Sequence, residues 1–243
     1  MTDAARQRRA QRVARRRRRY QSPFPNGWAR FRAHLNAWFV DHQVFRAVYP
    51  NLWRLGPHAW RSSQPSPAQL RRLAKRGLRT VVNLRGGSEF GSYALEREAC
   101  ADLGLAYREL KLFSRHAPER EAIAEAAKLF DEIAYPALLH CKSGADRAGL
   151  AAALYVLLRE GGTLAEAKAQ LAPVYGHFRM AKTGVLDATL DAFGAAEAEA
   201  AARGETLDFL KWSQTDYDPA AVTRGFRESN LFGFIVDRVL RRE

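Results

Sequence analysis

Residues 135–158 most constrain what this chain can fold into. An apolar run, Ala137-Leu138-Leu139, enters a short polar loop, Cys141-Lys142-Ser143-Gly144-Ala145-Asp146-Arg147. It leaves as Ala148-Gly149-Leu150-Ala151-Ala152-Ala153-Leu154-Tyr155-Val156-Leu157-Leu158, too long and alanine-rich for a strand. A buried strand, a tight loop and a buried helix are the repeating parts of an α/β domain. The preceding chain continues the alternation. Residues 51–55 and 59–63 read as short extended segments. Ser66 then caps a helix with Pro67 at its first position and Gln69 completing a capping box, Leu70 and Leu73 share a face, and Gly77 ends it. A strand over 79–85, a helix over 93–103, a strand over 105–110 and a helix over 118–133 follow. The expected fold is α/β, with a central, mostly parallel sheet flanked by helices. Beyond the loop, Thr163 and Glu166 form a second capping box opening a helix to residue 171. Residues 183–193, 206–212 and 230–242 also read as helices, so the C-terminal third is expected to be helical.

The chain has 243 residues, 47% hydrophobic and 27% charged, enough for one packed domain with elaborations. No apolar run approaches the length of a bilayer crossing. Two cysteines make no disulfide framework, and no signal-peptide pattern follows the basic N-terminus, so a reducing cytoplasm is the expected location. The formal charge of +13 is lopsided: residues 1–20 hold nine arginines against Asp3, with five in a row from Arg15 to Arg19. Such a run repels itself and offers no apolar face, so residues 1–25 read as a disordered arm. Arms of this kind suit polyanions, either nucleic acid or an anionic membrane surface, or serve only as solvated tails. No nucleic-acid recognition motif accompanies this one.

Residues 26–50 place Trp28, Phe31, Leu35, Trp38, Phe39, Val44, Phe45 and Val48 at mostly helical spacing, one amphipathic helix or two. A face like this either docks on its own domain, the commoner fate, or lies at a membrane interface, peripheral at its inner face. The domain itself is expected over 51–195, with 196–243 as a helical extension packed on it.

The loop after the strand carries the chemistry. Ligands in open α/β sheets bind beyond the carboxyl ends of strands. Successive amides from Lys142 to Arg147 can curl into an anion-binding nest, with Gly144 taking a backbone angle that other residues resist. The next helix adds its positive end, and Arg147 can grip two phosphate oxygens at once. The same field favours a thiolate at Cys141. Cys100, inside a predicted helix with Ala106 at the matching offset, suits an inert buried cysteine instead.

His140-Cys141-Lys142-Ser143-Gly144-Ala145-Asp146-Arg147 resembles the signature loop of the cysteine-dependent protein tyrosine and dual-specificity phosphatase superfamily. Ala59-Trp60-Arg61-Ser62-Ser63-Gln64-Pro65 and Thr80-Val81-Val82-Asn83-Leu84-Arg85 resemble the opening strands of its bacterial members. The likeness spans about residues 51–171. It implies a phosphomonoester hydrolase working through a cysteinyl-phosphate, without metal or other cofactor. Cys141 would be the nucleophile, Arg147 the phosphate clamp, and Lys142, Ser143, Gly144 and Ala145 the substrate cradle, with His140 supporting the loop.

Two positions depart from the family pattern. Most members carry the general acid as an aspartate on a separate loop, and the matching segment 112–120 has none. Asp146, directly before the arginine as in myotubularin-like lipid phosphatases, is the expected acid, kept protonated by burial, with Glu119 and His116 in reserve. Ala148 replaces the usual Ser or Thr that assists departure of the sulfur, implying slow turnover. Lys142 adds charge to the cradle, as in some phosphoinositide phosphatases, and Arg115 is a candidate substrate contact. The substrate is thus a phosphorylated protein or an anionic lipid or small-molecule phosphomonoester. The competing classes are a rhodanese-like sulfurtransferase, which also uses a cysteine in a basic loop, and a polyanion-binding protein.

Overall fold

Strands β1 (Trp53–Leu55), β2 (Ala59–Ser63), β3 (Thr80–Asn83), β4 (Ala106–Glu109) and β5 (Ala137–Cys141) form one sheet in the order β1-β2-β5-β3-β4. β1 runs antiparallel to β2, and every other pairing is parallel. The computed structural model describes residues 23–229 together with positions 11, 14 and 20. Nearly all of the basic arm and the helix expected over 230–242 lie outside the described residues.

The central strands are buried on both faces, as strands sandwiched between helical layers must be, and alternation sorts their side chains between two cores. Ala137, Leu139 and Cys141 of β5 join Val82 and Leu84 in the larger core, against α5 (Arg120–Glu132) and α6 (Asp146–Tyr155). Leu138 joins Val81 in the smaller core, with Leu70 and Leu73 of α3 (Pro67–Ala74) and Ala99 and Cys100 of α4 (Gly91–Asp102). This alternation turns Cys141 and His140 to opposite sides of the sheet.

Local signals set the helix starts. Ser66 and Gln69 form the capping box of α3, and Thr163 and Glu166 form that of α7 (Leu164–Ala169). The helix expected from residue 206 begins later, as α9 (Phe209–Thr215), because Asp208 accepts from the Lys211 amide at 2.7 Å and caps it there. The 183–193 helix extends to α8 (Val185–Ala202) and crosses the boundary expected at 195/196 unbroken. Phe193, Phe209, Trp212 and Tyr217 belong to the larger core, and Tyr217 donates to the Pro118 carbonyl at 2.9 Å. The C-terminal helices, ending with α10 (Pro219–Ser229), are therefore continuous with the domain.

Residues 26–50 form α1 (Gly27–Leu35), a π turn (Asn36–Val40) and α2 (Gln43–Val48). This segment docks on the domain through its small side, not its aromatic one. Ala33 and Ala37 are fully buried, and Ala33 approaches Gly91 so closely that a Cβ there would lie 2.2 Å from the Ala33 carbonyl. Asp41 anchors the segment. Buried, it takes both guanidinium nitrogens of Arg85 at 3.0 and 3.1 Å, Arg46 at 2.9 Å and the Ser92 hydroxyl at 2.6 Å. Burial alone would raise its carboxyl pKa, but Arg85 and Arg46 hold it below the usual range.

Candidate active site

β5 ends at Cys141 and α6 starts at Asp146, so the loop occupies the carboxyl edge of the sheet between β2 and β3. Four successive loop carbonyls are held from outside. Lys142 O accepts from the Gln64 amide at 3.2 Å, and Ser143 O from Asn51 Nδ2 at 3.0 Å. Gly144 O and Ala145 O accept from Arg61 Nη2 at 3.0 and 3.1 Å. A trans peptide sets N–H opposite C=O, so these restraints turn the following amides toward the inside of the loop. One of them, Gly144 N–H, donates to Cys141 Sγ at 3.2 Å. Gly144 has φ +78°, and a Cβ on it would lie 2.5 Å from the Ser63 nitrogen, so no side chain is accommodated there.

Arg61 reaches the loop from β2 fully buried. Its Nη1 donates to Gln170 O at 2.6 Å and its guanidinium lies 3.9 Å over the Tyr175 ring. Burial pulls its pKa down to about 10, which leaves it charged at neutral pH. Asn51 also donates to Tyr175 O at 2.9 Å, tying the loop to the segment after α7.

Arg147 lines an open cavity of about 290 Å³ together with Leu112, Phe113, Ser114, Arg115 and His116. The β4–α5 connection thus brings Arg115 and His116 to the arginine, whereas Glu119 is exposed at the N-cap of α5 and is not part of that lining. Lys142 is half-buried and Ser143 exposed at the loop's outer turn, while Ala145 and Ala148 are buried.

Asp146 has a partner that sequence reasoning missed. His177, fully buried, places Nδ1 2.8 Å from Asp146 Oδ1 and Nε2 2.7 Å from Asp187 Oδ2. Burial alone would lower its pKa, but the hydrogen bonds to Asp146 and Asp187 prevail and raise it to about 9, so it is an imidazolium at neutral pH. An imidazolium and the N-terminus of α6 both favour the carboxylate form of Asp146. His177 therefore carries a proton within hydrogen-bond distance of Asp146, the residue the sequence led one to expect as the acid.

His140, on the opposite face of β5, lies 2.6 Å from Glu96 Oε1 with both groups fully buried. Gln64 donates to the other Glu96 oxygen at 2.8 Å and accepts from Arg85, which holds Asp41. A polar chain thus runs from the N-terminal segment to the residue beside the cysteine. Cys100 is buried in α4, where burial pushes its thiol pKa well up.

Arg61, Gln64, Asn51, His177 and Asp187 were given no role from the sequence. Arg61 and Gln64 stood within a stretch already noted for its resemblance. His177, in a loop beside Gly176 and ten residues before Asp187, carried no local signal.

Residues 55–162 match the family model described as "Polymorphic toxin system, DSP-PTPase phosphatase". The match spans the sheet and the Cys141–Arg147 loop, and it supports phosphatase activity for this part of the chain. Among solved structures, TpbA of P. aeruginosa is 22% identical with a TM-score of 0.46, over 61% of this chain and 91% of that one. The core catalytic domain of the S. cerevisiae PP-IP phosphatase SIW14 is 14% identical with a TM-score of 0.47, over 56% and 83%. Tk-PTP in its active form is 20% identical with a TM-score of 0.41, over 51% and 83%. No curated protein matches the chain.

Proposed function

We propose that this phosphatase cleaves phosphomonoesters at Cys141, with the loop amides and Arg147 holding the phosphoryl oxygens and Asp146 delivering the leaving-group proton. The observation that carries the assignment is the outward pinning of four consecutive carbonyls, which leaves an amide-lined hollow around the sulfur. The Gly144 amide and the α6 N-terminus both stabilise negative charge there. In the first step the S–P bond forms, the P–O bond breaks, and the departing oxygen takes a proton through Asp146 that His177 supplied from Nδ1. The resulting neutral imidazole keeps its remaining proton on Nε2, donated to Asp187. In the second step water attacks phosphorus, the S–P bond breaks, and the proton lost by water returns through Asp146 to His177. Arg115 contacts the substrate beside Arg147, and His140, held by Glu96, positions the strand end.

The substrate proposed is a phosphorylated protein or an anionic lipid or small-molecule phosphomonoester, for which Lys142 and Arg115 supply charge beyond that needed for the phosphoryl group. The arginine arm draws the protein to an anionic membrane surface.

The test is metal-independent release of phosphate from p-nitrophenyl phosphate, inhibited by vanadate and abolished in Cys141→Ser. Activity surviving that substitution would remove the assignment, and thiocyanate formation from thiosulfate and cyanide would replace it with sulfur transfer.

A further inference from the structure

The α1–α2 segment exposes the side chains that an amphipathic helix ordinarily buries. Ala33 and Ala37 face the domain, while Trp28, Phe31, Trp38, Phe39, Phe45 and Val48 remain 42–86% exposed. Trp28 and Phe31 stack on each other with ring centroids 5.5 Å apart, in contact with solvent. The segment is held by the two alanines, by Asp41, by the Asn36 side chain, which accepts from the Gly91 amide at 2.8 Å, and by the Arg30–Glu98 ion pair at 2.7 Å, while these aromatic groups stay exposed. An apolar face of this extent on a folded protein is an interaction surface.

Charge selects the partner. Between Ala4 and Ser88 the sole acidic residue is Asp41, which is fully buried, so no acidic side chain borders the face from its own stretch of chain. Arg32 lies exposed on α1 itself, Arg30 beside it is paired with Glu98 of α4 at 2.7 Å, and the nine arginines of residues 1–20 immediately precede the helix. Tryptophan and phenylalanine with a mostly basic border match the interface of an anionic bilayer, where rings enter the headgroup boundary and arginines meet phosphate. The face also adjoins the site. Tyr49, at the end of α2, donates to Val174 O at 3.4 Å, and Asn51, two residues on, holds the catalytic loop at Ser143.

We infer that the aromatic face of α1–α2 is a docking surface that enters the interfacial layer of an anionic lipid bilayer and sets the mouth of the catalytic loop beside it. The inference builds on the assignment of the arginine arm to an anionic surface, and adds an apolar, salt-resistant component that the arm cannot supply.

The test is sedimentation of the full-length protein with phosphatidylcholine vesicles, with and without phosphatidylserine, at low and high salt. Three proteins are compared: wild type, a variant lacking residues 1–20, and the exposed-face variant Trp28→Ala/Phe31→Ala/Phe39→Ala/Phe45→Ala. The expected result is binding that needs phosphatidylserine, falls roughly tenfold or more in the face variant, and keeps a salt-resistant part in the arm deletion. Unchanged p-nitrophenyl phosphate turnover shows that the face variant is folded. Wild-type binding by the face variant would overturn the inference while leaving the arm assignment standing. The converse, loss in the face variant with none in the arm deletion, would uphold the face and remove the arm. Hydroxyl-radical footprints in which Trp28 and Phe39 are already shielded without vesicles would also overturn it, since a second copy or residues 230–243 would then be the occupant.

Discussion

Nδ1 of His177 lies 2.8 Å from Oδ1 of Asp146, coupling a fully buried imidazolium to a carboxylate whose side chain keeps 17% of its exposure. Proton delivery through this pair matters most when the leaving group is a poor one. His177→Gln and Asp146→Asn should each lower kcat on an alkyl phosphomonoester by roughly 100-fold while costing p-nitrophenyl phosphate far less. Equal losses on both substrates in steady-state kinetics would assign the pair to loop structure, and His116, across the cavity from Arg147, would become the acid to test.

The same imidazolium makes stability depend on pH. Its folded pKa of about 9 lies above the 6.5 of an unperturbed histidine. Its two pairings therefore stabilise fully below about pH 6.5, and that contribution fades as pH rises through about 9. The loss is up to about 3 kcal/mol, from 1.36 kcal/mol per pKa unit. Urea midpoints measured across this window should fall for the wild type and lie on a flatter line for His177→Gln.

Arg61 holds two loop carbonyls with one buried nitrogen, so its removal acts on phosphate binding without touching phosphate. Arg61→Met should weaken vanadate inhibition by roughly tenfold or more and take the Arg61 donor from the Gly144 carbonyl, at about 1–3 kcal/mol of stability for that buried group, while the Ala145 carbonyl keeps the Gly149 amide. Inhibition constants and denaturation midpoints measure the two effects separately. An unchanged vanadate constant would show that the amide ring holds its shape without Arg61.

Gly144→Ala places a Cβ 2.5 Å from the Ser63 nitrogen, at φ +78°. The loop must move, and turnover should fall by about 100-fold or more, since a displacement of about 1 Å at a reacting centre has that effect. Cys100→Ala is the matching control. It lies in the smaller core on the other side of the sheet, and should retain turnover while losing about 1 kcal/mol of stability.

The parts of this protein legible in its sequence are those whose cause is local. Capping boxes at Ser66 and Thr163 mark helix starts because the side chain and the amide it satisfies are three residues apart. The Cys141–Arg147 loop was visible because strand, loop and helix follow one another without a gap. The π turn after α1, closed by the Asp41 amide on the Asn36 carbonyl, and the start of α9, set by the Asp208 side chain, were not.

The aromatic segment marks the boundary of that method. Its periodicity announced a helix correctly, but periodicity reports only that a face exists, not which side the domain takes. Close approach of the Ala33 backbone to Gly91, with Asp41 clamped by two arginines, decided for the alanines and left the rings outside.

Sequence alone determined the order of elements and the seven-residue loop, because both are written in neighbours and periods. Tertiary structure decided what holds the loop and where its proton resides. Arg61 and Asn51 reach it across 83 and 92 positions of chain, and His177 reaches Asp146 across 31. At such separations only the packing of the sheet and of the segment after α7 brings donor to acceptor, and the two carboxyl groups that this packing sets against His177, prevailing over its burial, give the histidine its charge.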